Sequence, residues 1–496
     1  MINNKLILKS FLKKRELVRQ HIDSFNDFLD NRLQEIVNDT KNIETDVGVE
    51  VQLGKITVKK ARIIEADGSK NRVNPMEARL RNLSYFSPIW LEMTPVVEGK
   101  EPKTVEVKIG MMPTMLKSSI CNLYNKTEED LIKAKEDPLD PGGYFIINGS
   151  ERTLVTIEDL APNMIMLERN HKYKKVTEVA KVFSKRSGFR ALVTVERNKD
   201  GLIGVSFPAV PGQIPLVILM RALGLNSDQE LVETISDDPD IIQIILENLE
   251  EYLDVKSTED ATEIIGKKVA TGQTREYRLK RAEQVIDRYL LPHIGVEPED
   301  RLRKSHYLGR MVVRIIELAL KRREPDDKDH YANKRLRLAG DLMEDLFRVA
   351  FYNLTRDIKY QLERSVVRGK EPSVFTAVRS DVLTERIRHA LATGNWVGGR
   401  SGVSQLLDRT NYISVVSHLR RVISPLSRSQ PHFEARDLHP TQWGKICPSE
   451  TPEGPNCGLV KNLALSSEFS TGVDDTIIEP LLYELGVNQI KKSRIF

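Results

Sequence analysis

Three groups of residues have the types and spacing to do chemistry. The first is "EPDDKDHYANKR", where Asp326, Asp327, Asp329 and His330 are bunched together. Three carboxylates and an imidazole are a donor set for a divalent cation. Adjacent side chains rarely all point one way, however, and the same string makes a good helix N-terminus whose Asp side chains cap free amides. Capping is the reading these residues favour, and likewise at "DDPD", Asp237 to Asp240, which precedes an apolar helical pattern.

The second group is basic. Between Gly394 and Lys445 the chain carries Arg400, Arg409, Arg420, Arg421, Arg428, Arg436 and Lys445 against Asp408, Glu434 and Asp437, with Trp396, Phe433 and Trp443 interleaved. Planar guanidinium groups hold phosphate oxygens bidentately, so arginines on Gly/Ser/Pro-containing loops suit a nucleic-acid backbone. A charge run is more often a solvated face, and composition alone leaves both readings open. The third group is "GKICPSETPEGPNCGLVKNLAL", residues 444–465. Pro448, Pro452 and Pro455 fix φ, and Gly444, Gly454 and Gly458 admit conformations closed to other residues, which predicts a loop with one rigid path. Glu450 and Glu453 lack the neighbouring Asp cluster that a two-metal site needs, so they read as hydrogen-bonding struts.

These groups need a large scaffold, and the chain supplies it. Its 496 residues, 40% hydrophobic and 29% charged, suit a folded protein of several domains. Lys and Arg exceed Asp and Glu by only 75 to 71, so any case for a nucleic-acid partner rests on where the charges lie. The odd set Cys121, Cys447 and Cys457 fits buried free thiols in a reducing, cytoplasmic setting better than disulfides or a zinc site. The longest apolar run, "PLVILMRALGL", is cut by Arg221 and too short for a bilayer, so no membrane role is expected.

The expected fold class is α+β and multidomain, mixing helices with antiparallel β hairpins. Residues 6–37 carry apolar side chains at helical spacing, and residues 50–110 read as short strands with turns in "EADGSK" and "VVEGKEPK". The Asn-Gly pair in "YFIINGSERTLV" predicts a hairpin, as does the turn between "FRALVTVER" and "LIGVSF". Helical patterns run from Asp341 to about Arg364 and from Ser380 to Ala392.

Several strings, taken in order along nearly the whole chain, resemble one family: "VRQHIDSFNDFL", "YFIINGSERTLV", "DDKDHYANKRLRLAG", "ALATGNW", "SHLRR" and "ARDLHPTQWGKICPSETPEGPNCGLVKNLAL". The sequence is similar to the second-largest, β-type subunit of multisubunit DNA-directed RNA polymerases, in its archaeal or eukaryotic form. It resembles the N-terminal half of that subunit as some archaea split it, called B-double-prime, in which case the rigid loop lies near the middle of a composite subunit.

The resemblance implies a protrusion at 1–163 and 330–380, a lobe at 164–329, a fork at 381–445 and the start of an external region at 446–496. It implies that Gln405, Pro452 and Asn456 line the path of the RNA near its 3′ end, that Arg428 and Arg436 meet DNA at the downstream fork, that Arg420 and Arg421 support that wall, and that Glu453 lies near the incoming nucleotide. The chain would hold no metal itself. Mg2+ would belong to the largest subunit, whose Asp cluster has no counterpart here, and the isolated chain would be an inactive part of a nucleotidyltransferase. Implied partners are the C-terminal half of the subunit, the halves of the largest subunit, small assembly subunits, template DNA, transcript RNA and nucleoside triphosphates. A free-standing DNA-binding scaffold and an independent nucleotidyltransferase are the competing readings.

Overall fold

The computed structural model describes residues 4–7, 10, 17–40, 42–64, 68–97, 101–170, 176–255, 257–469 and 475–487. Parts of the expected N-terminal helices (8–9, 11–16), of two expected turns (65–67, 98–100) and of the region beyond 446 (470–474, 488–496) lie outside the described residues. The chain forms two compact units, Glu158–Arg335 and the remainder on either side of it.

The first unit opens with α1 (Arg19–Asp27), which passes through a π-helical turn, Phe28–Arg32, into α2 (Leu33–Asp39). Val18, Ile22, Phe25, Phe28, Leu33 and Ile36 recur at helical spacing and are all buried. Strands β1 (Val49–Val58), β2 (Phe86–Val97) and β3 (Val105–Pro113) follow, forming an antiparallel sheet with Ile43–Glu44 at its edge. A hairpin then joins β4 (Phe145–Ile147) to β5 (Ser150–Leu154) through Asn148 and Gly149. Both turn residues have positive φ, 50° and 75°, which is the two-residue hairpin geometry that the Asn-Gly pair predicts. A further strand, β6 (Thr156–Leu160), leads into the second unit.

Within that unit, β7 (Ile165–Arg169), β8 (Val176–Arg186), β9 (Phe189–Asn198), β10 (Ile203–Ser206) and β11 (Ile214–Pro215) form one antiparallel sheet in sequence order. Helices α3 (Leu216–Ala222), α4 (Asp228–Ile235), α5 (Pro239–Glu250), α6 (Thr258–Val269), α7 (Arg275–Tyr289) and α8 (Arg301–Ala319) complete it. The "DDPD" cap forms as expected: Asp238 accepts a hydrogen bond from the Asp240 amide at 3.0 Å, with Pro239 at the first helical position. The Asp326 string departs from expectation. It begins no α-helix. Asp326 accepts from the Leu167 amide at 2.9 Å, Asp329 pairs with Lys334 at 3.1 Å, and His330 caps one 3-10 turn, Tyr331–Asn333, before a strand at Lys334–Arg337. These side chains serve different local partners, and among the described residues no group of three His, Cys, Asp or Glu side chains is placed to hold a metal ion.

The chain returns to the first unit through α9 (Ala339–Val367) and α10 (Ser380–Thr393). Phe347 of α9 meets Phe28 edge-on at 6.2 Å and stacks on Phe351 at 5.6 Å, while Phe25 meets Phe145 at 5.5 Å. Arg32 reaches Asp341 at 2.5 Å and Glu344 at 3.3 Å, tying the π-helical turn to α9. Thereafter come β12 (Ser404–Leu406), α11 (Tyr412–Leu419), β13 (Arg421–Ile423), β14 (Val460–Asn462) and α12 (Asp475–Glu484). Strand β13 runs parallel to the start of β6 and antiparallel to β14. The β1–β3 sheet, the β7–β11 sheet and the β4–β5–β12 sheet are antiparallel throughout, so the architecture is α+β. The expectation of three buried thiols needs correcting: Cys121 is buried, Cys447 is half-buried and Cys457 is exposed, because the last sits in a surface loop. Among the described residues no helix is long and apolar enough to cross a membrane.

Candidate nucleic-acid interface

The Arg-rich and Pro-rich segments converge in the first unit, where β12, α11, β13 and β14 carry them. Strand β12 extends the β4–β5 hairpin, with Gln405 opposite Thr153. Helix α11 starts at a reciprocal cap: Asn411 accepts from the Ser414 amide at 2.8 Å, and Ser414 Oγ accepts from the Asn411 amide at 3.0 Å. Strand β13 is inserted between the start of β6 and β14, so Arg421 is fixed opposite Asn462.

The C-terminal end of α11 is tied to the N-terminal helix. The Leu419 carbonyl, which has no partner within its own helix, accepts from His21 Nε2 at 2.7 Å and from Gln20 at 3.4 Å. Burial, with Arg420 nearby, lowers the His21 pKa to about 4, so this imidazole is neutral at ordinary pH. Arg420 is only 7% exposed, and its guanidinium donates to the carbonyls of Leu17 at 2.5 Å and Ala464 at 2.6 Å. It braces this frame from within.

His418 lies beneath Gln405. Its Nδ1 accepts from the Asp408 amide at 3.1 Å, which puts the ring proton on Nε2, and Nε2 lies 3.1 Å from Gln405 Oε1. Burial, reinforced by the Arg421 charge, lowers the His418 pKa to about 4. Gln405, half-buried, donates its own amide to the Gly402 carbonyl at 3.1 Å.

The rigid loop has a second anchor. Arg436 donates to the carbonyls of Pro431 at 2.7 Å, Pro455 at 2.8 Å and Cys457 at 2.9 Å, and at 3.4 Å to those of Arg428 and Gln430. All five N–H groups of this guanidinium are therefore engaged within the chain. Gly458, at φ 72°, lies against the Arg436 backbone, where a Cβ would come within 2.4 Å of the Arg436 carbonyl oxygen. Thr451 Oγ1 bridges the loop, accepting from the Gly458 amide at 3.0 Å and donating to the Val460 carbonyl at 2.9 Å. Glu450 accepts from Ser417 Oγ at 2.5 Å, which is the strut role expected of it. Pro452 and Glu453 are exposed at the loop's outer edge, and Asn456 is half-buried.

The basic string therefore divides. Arg409 is held by Glu151 at 2.5 Å and Asp140 at 2.9 Å, and lies over the Tyr144 ring at 4.9 Å. Arg79 pairs with Glu151 at 2.7 Å and Glu136 at 3.0 Å in the same network. Arg421 and Arg428, by contrast, make no guanidinium hydrogen bond among the described residues, and Arg428 is exposed. The aromatics divide too: Trp396 is 6% exposed and donates to the Leu342 carbonyl at 2.9 Å, whereas Trp443 and Phe433 are exposed. Among the described residues the surface thus offers the cations of Arg421, Arg428 and Lys445 and two exposed aromatic faces on a braced frame, a combination suited to phosphates and stacked bases. Sequence reasoning misses His418 and the Arg79–Arg409 network, since neither has a local signal.

Residues 16–385 match the family model described as RNA polymerase beta subunit. The chain belongs to that family. Residues 405–469, which contain most of the surface just described, match the model described as RNA polymerase Rpb2, domain 3. Among the family's members, "DNA-directed RNA polymerase subunit Rpo2N" of Methanococcus vannielii is 58% identical, over 98% of this chain and 100% of that protein. Rpo2N of Methanocaldococcus jannaschii is 56% identical over 97% and 98% of the two chains. "DNA-directed RNA polymerase subunit Rpo2" of Saccharolobus solfataricus is 54% identical over 98% of this chain, which spans 43% of that longer protein.

Proposed function

We propose that this chain works within an archaeal, cytoplasmic DNA-directed RNA polymerase as the N-terminal half of the second-largest subunit. There it forms one wall of the DNA and RNA cleft beside the active centre. A companion chain supplies the C-terminal half, and the largest subunit and small assembly subunits complete the enzyme. Mg2+ for nucleotidyl transfer is held by the largest subunit, and the isolated chain is inactive. Its contribution is positioning of template, downstream fork, RNA 3′ end and incoming nucleotide, an effect of the kind that contributes up to about 7–11 kcal/mol in well-oriented model reactions.

The observation that carries this reading is how the arginines are used. Arg409, Arg420 and Arg436 are bound to the chain's own carboxylates and carbonyls, while Arg421 and Arg428 make no guanidinium hydrogen bond among the described residues. In this reading Arg428 and Arg421 meet phosphates, Arg420 and Arg436 hold the walls from behind, Gln405, Pro452 and Asn456 border the RNA, and Glu453 lies toward the nucleotide. The test is Arg428→Ala in the reconstituted polymerase, with affinity for promoter DNA followed across salt concentrations. Losing one phosphate contact should lower the slope of log affinity against log salt by about 0.7–0.9. A slope equal to wild type would remove Arg428 from the DNA.

A further inference from the structure

We propose that His418 is a positioning residue that fixes which end of the Gln405 amide faces the RNA path. This rests on the reading above, in which Gln405 borders the transcript. The geometry runs through three groups. The Asp408 amide donates to His418 Nδ1 at 3.1 Å, so the neutral imidazole must carry its proton on Nε2. That N–H faces Gln405 Oε1 at 3.1 Å. The opposite end of the same amide donates to the Gly402 carbonyl at 3.1 Å.

A glutamine amide can turn over at little cost in open solvent, exchanging donor for acceptor. Here both alternatives are blocked. A flipped Gln405 would set its NH2 against the His418 Nε2–H and its oxygen against the Gly402 oxygen, two repulsive contacts in place of two hydrogen bonds. With the amide so held, one N–H of Gln405 has no partner among the described residues, and the side chain is only half-buried. Gln405 therefore presents a fixed donor. It suits an acceptor oxygen on RNA, whether of a phosphate, a ribose or a base carbonyl. His418 itself is 5% exposed and acts on RNA through Gln405 alone.

The ring is seated to keep this role constant. Its neighbours are the Asp408 carboxylate and the Arg421 guanidinium, whose opposite charges flank the imidazole, and burial disfavours a second ring proton. Protonation at Nδ1 would break the bond from the Asp408 amide, so the relay is a fixed support across ordinary pH.

The experiment is a double-mutant cycle in the reconstituted polymerase, using Gln405→Ala, His418→Phe and the double variant. Release of short RNA products from the initiating complex is the readout, and promoter binding is the control. Gln405→Ala should speed release about 2- to 10-fold, the range for one lost hydrogen bond. His418→Phe should do the same alone and add nothing in the Gln405→Ala background. His418→Gln, which restores an amide donor on a flexible stem, should recover part of the retention, and it keeps the test open should the Phe variant fail to assemble. If Gln405→Ala alone changes nothing, the RNA contact fails and the relay with it. If Gln405→Ala matters but His418→Phe adds its full effect in the double variant, or His418→Gln recovers nothing, the relay alone is overturned.

Discussion

Arg436→Ala separates a structural arginine from a phosphate-binding one. Its guanidinium makes three short bonds to loop carbonyls, at 2.7, 2.8 and 2.9 Å, and two longer ones at 3.4 Å. A hydrogen bond from a charged donor contributes about 1.5–3 kcal/mol when buried. Arg436 is half-buried and its acceptors can regain water, so about 1 kcal/mol for each short bond, or about 3 kcal/mol for the anchor, is a reasonable scale. That is roughly a hundredfold increase in local opening. Hydrogen exchange at the Gly458 and Cys457 amides, which bond to Thr451 Oγ1 and the Gly454 carbonyl, should accelerate by about that factor. Arg436→Lys, with three donors on a flexible stem, should recover only part of the protection.

In the assembled polymerase the same substitution should shorten open-complex lifetime by a similar proportion at low and high salt, because no counterion is released by a bond to a carbonyl. Family resemblance alone implies a DNA contact at Arg436, with a salt-dependent loss. A reduced salt slope in Arg436→Ala, matching that of Arg428→Ala, would refute the anchoring role. So would unchanged amide exchange in the free chain.

Two further outcomes concern stability. Lys304 is fully buried, donating to the Ile286 and Asp287 carbonyls at 3.1 and 2.6 Å, and burial lowers its pKa from 10.5 to about 8. The unfolded chain therefore binds more protons between about pH 8 and pH 10.5, so stability of the Glu158–Arg335 unit should rise with pH across that window, and Lys304→Met should abolish the rise, as read by hydrogen exchange in α8. For Asp140, burial raises the pKa, but bonds from the Gly142 amide, the Tyr144 hydroxyl and Arg409 outweigh it and hold the value below that of a free carboxylate. Its stabilising contribution is complete above the unfolded pKa of about 4 and is lost as pH falls through the folded value. Arg409→Ala should destabilise the chain by about 1–2 kcal/mol at neutral pH and flatten this acid dependence in denaturant titrations.

Local features were legible in the sequence because their causes are local. The Asn148–Gly149 turn, the Asp238 cap and the helix from Ser380 each depend on residues within a few positions. The partners of the arginines were not legible. Arg420 reaches Leu17 across 403 positions, and Arg409 reaches Glu151 across 258. Charge counting registers such residues as a basic run, while the fold spends them on acceptors elsewhere. Trp396 and Trp443 make the same point: similar settings in the sequence, one side chain in the core and the other on the surface. The Asp326 string misled because its carboxylates suit any free amide, and in the fold those amides belong to a turn and a neighbouring strand.

The chemistry of proline explains why an arginine anchors this particular loop. Pro431, Pro448, Pro452 and Pro455 each contribute a carbonyl acceptor and no N–H, so the segments around them hold more acceptors than donors and cannot satisfy themselves by backbone pairing. Water could fill the deficit, but it would not define a path. A guanidinium has five donors in one plane and no acceptor, the inverse of the imbalance the prolines create. Arg436 meets it directly, through two proline carbonyls and three of their neighbours, and Gly458 lets the loop approach closely enough to be held. Stiffness from the prolines and fixation by the arginine are thus two parts of one device. The device holds the backbone around Pro452, Glu453 and Asn456 by bonds within the chain itself, which is what the proposed role of positioning reactants without reacting requires.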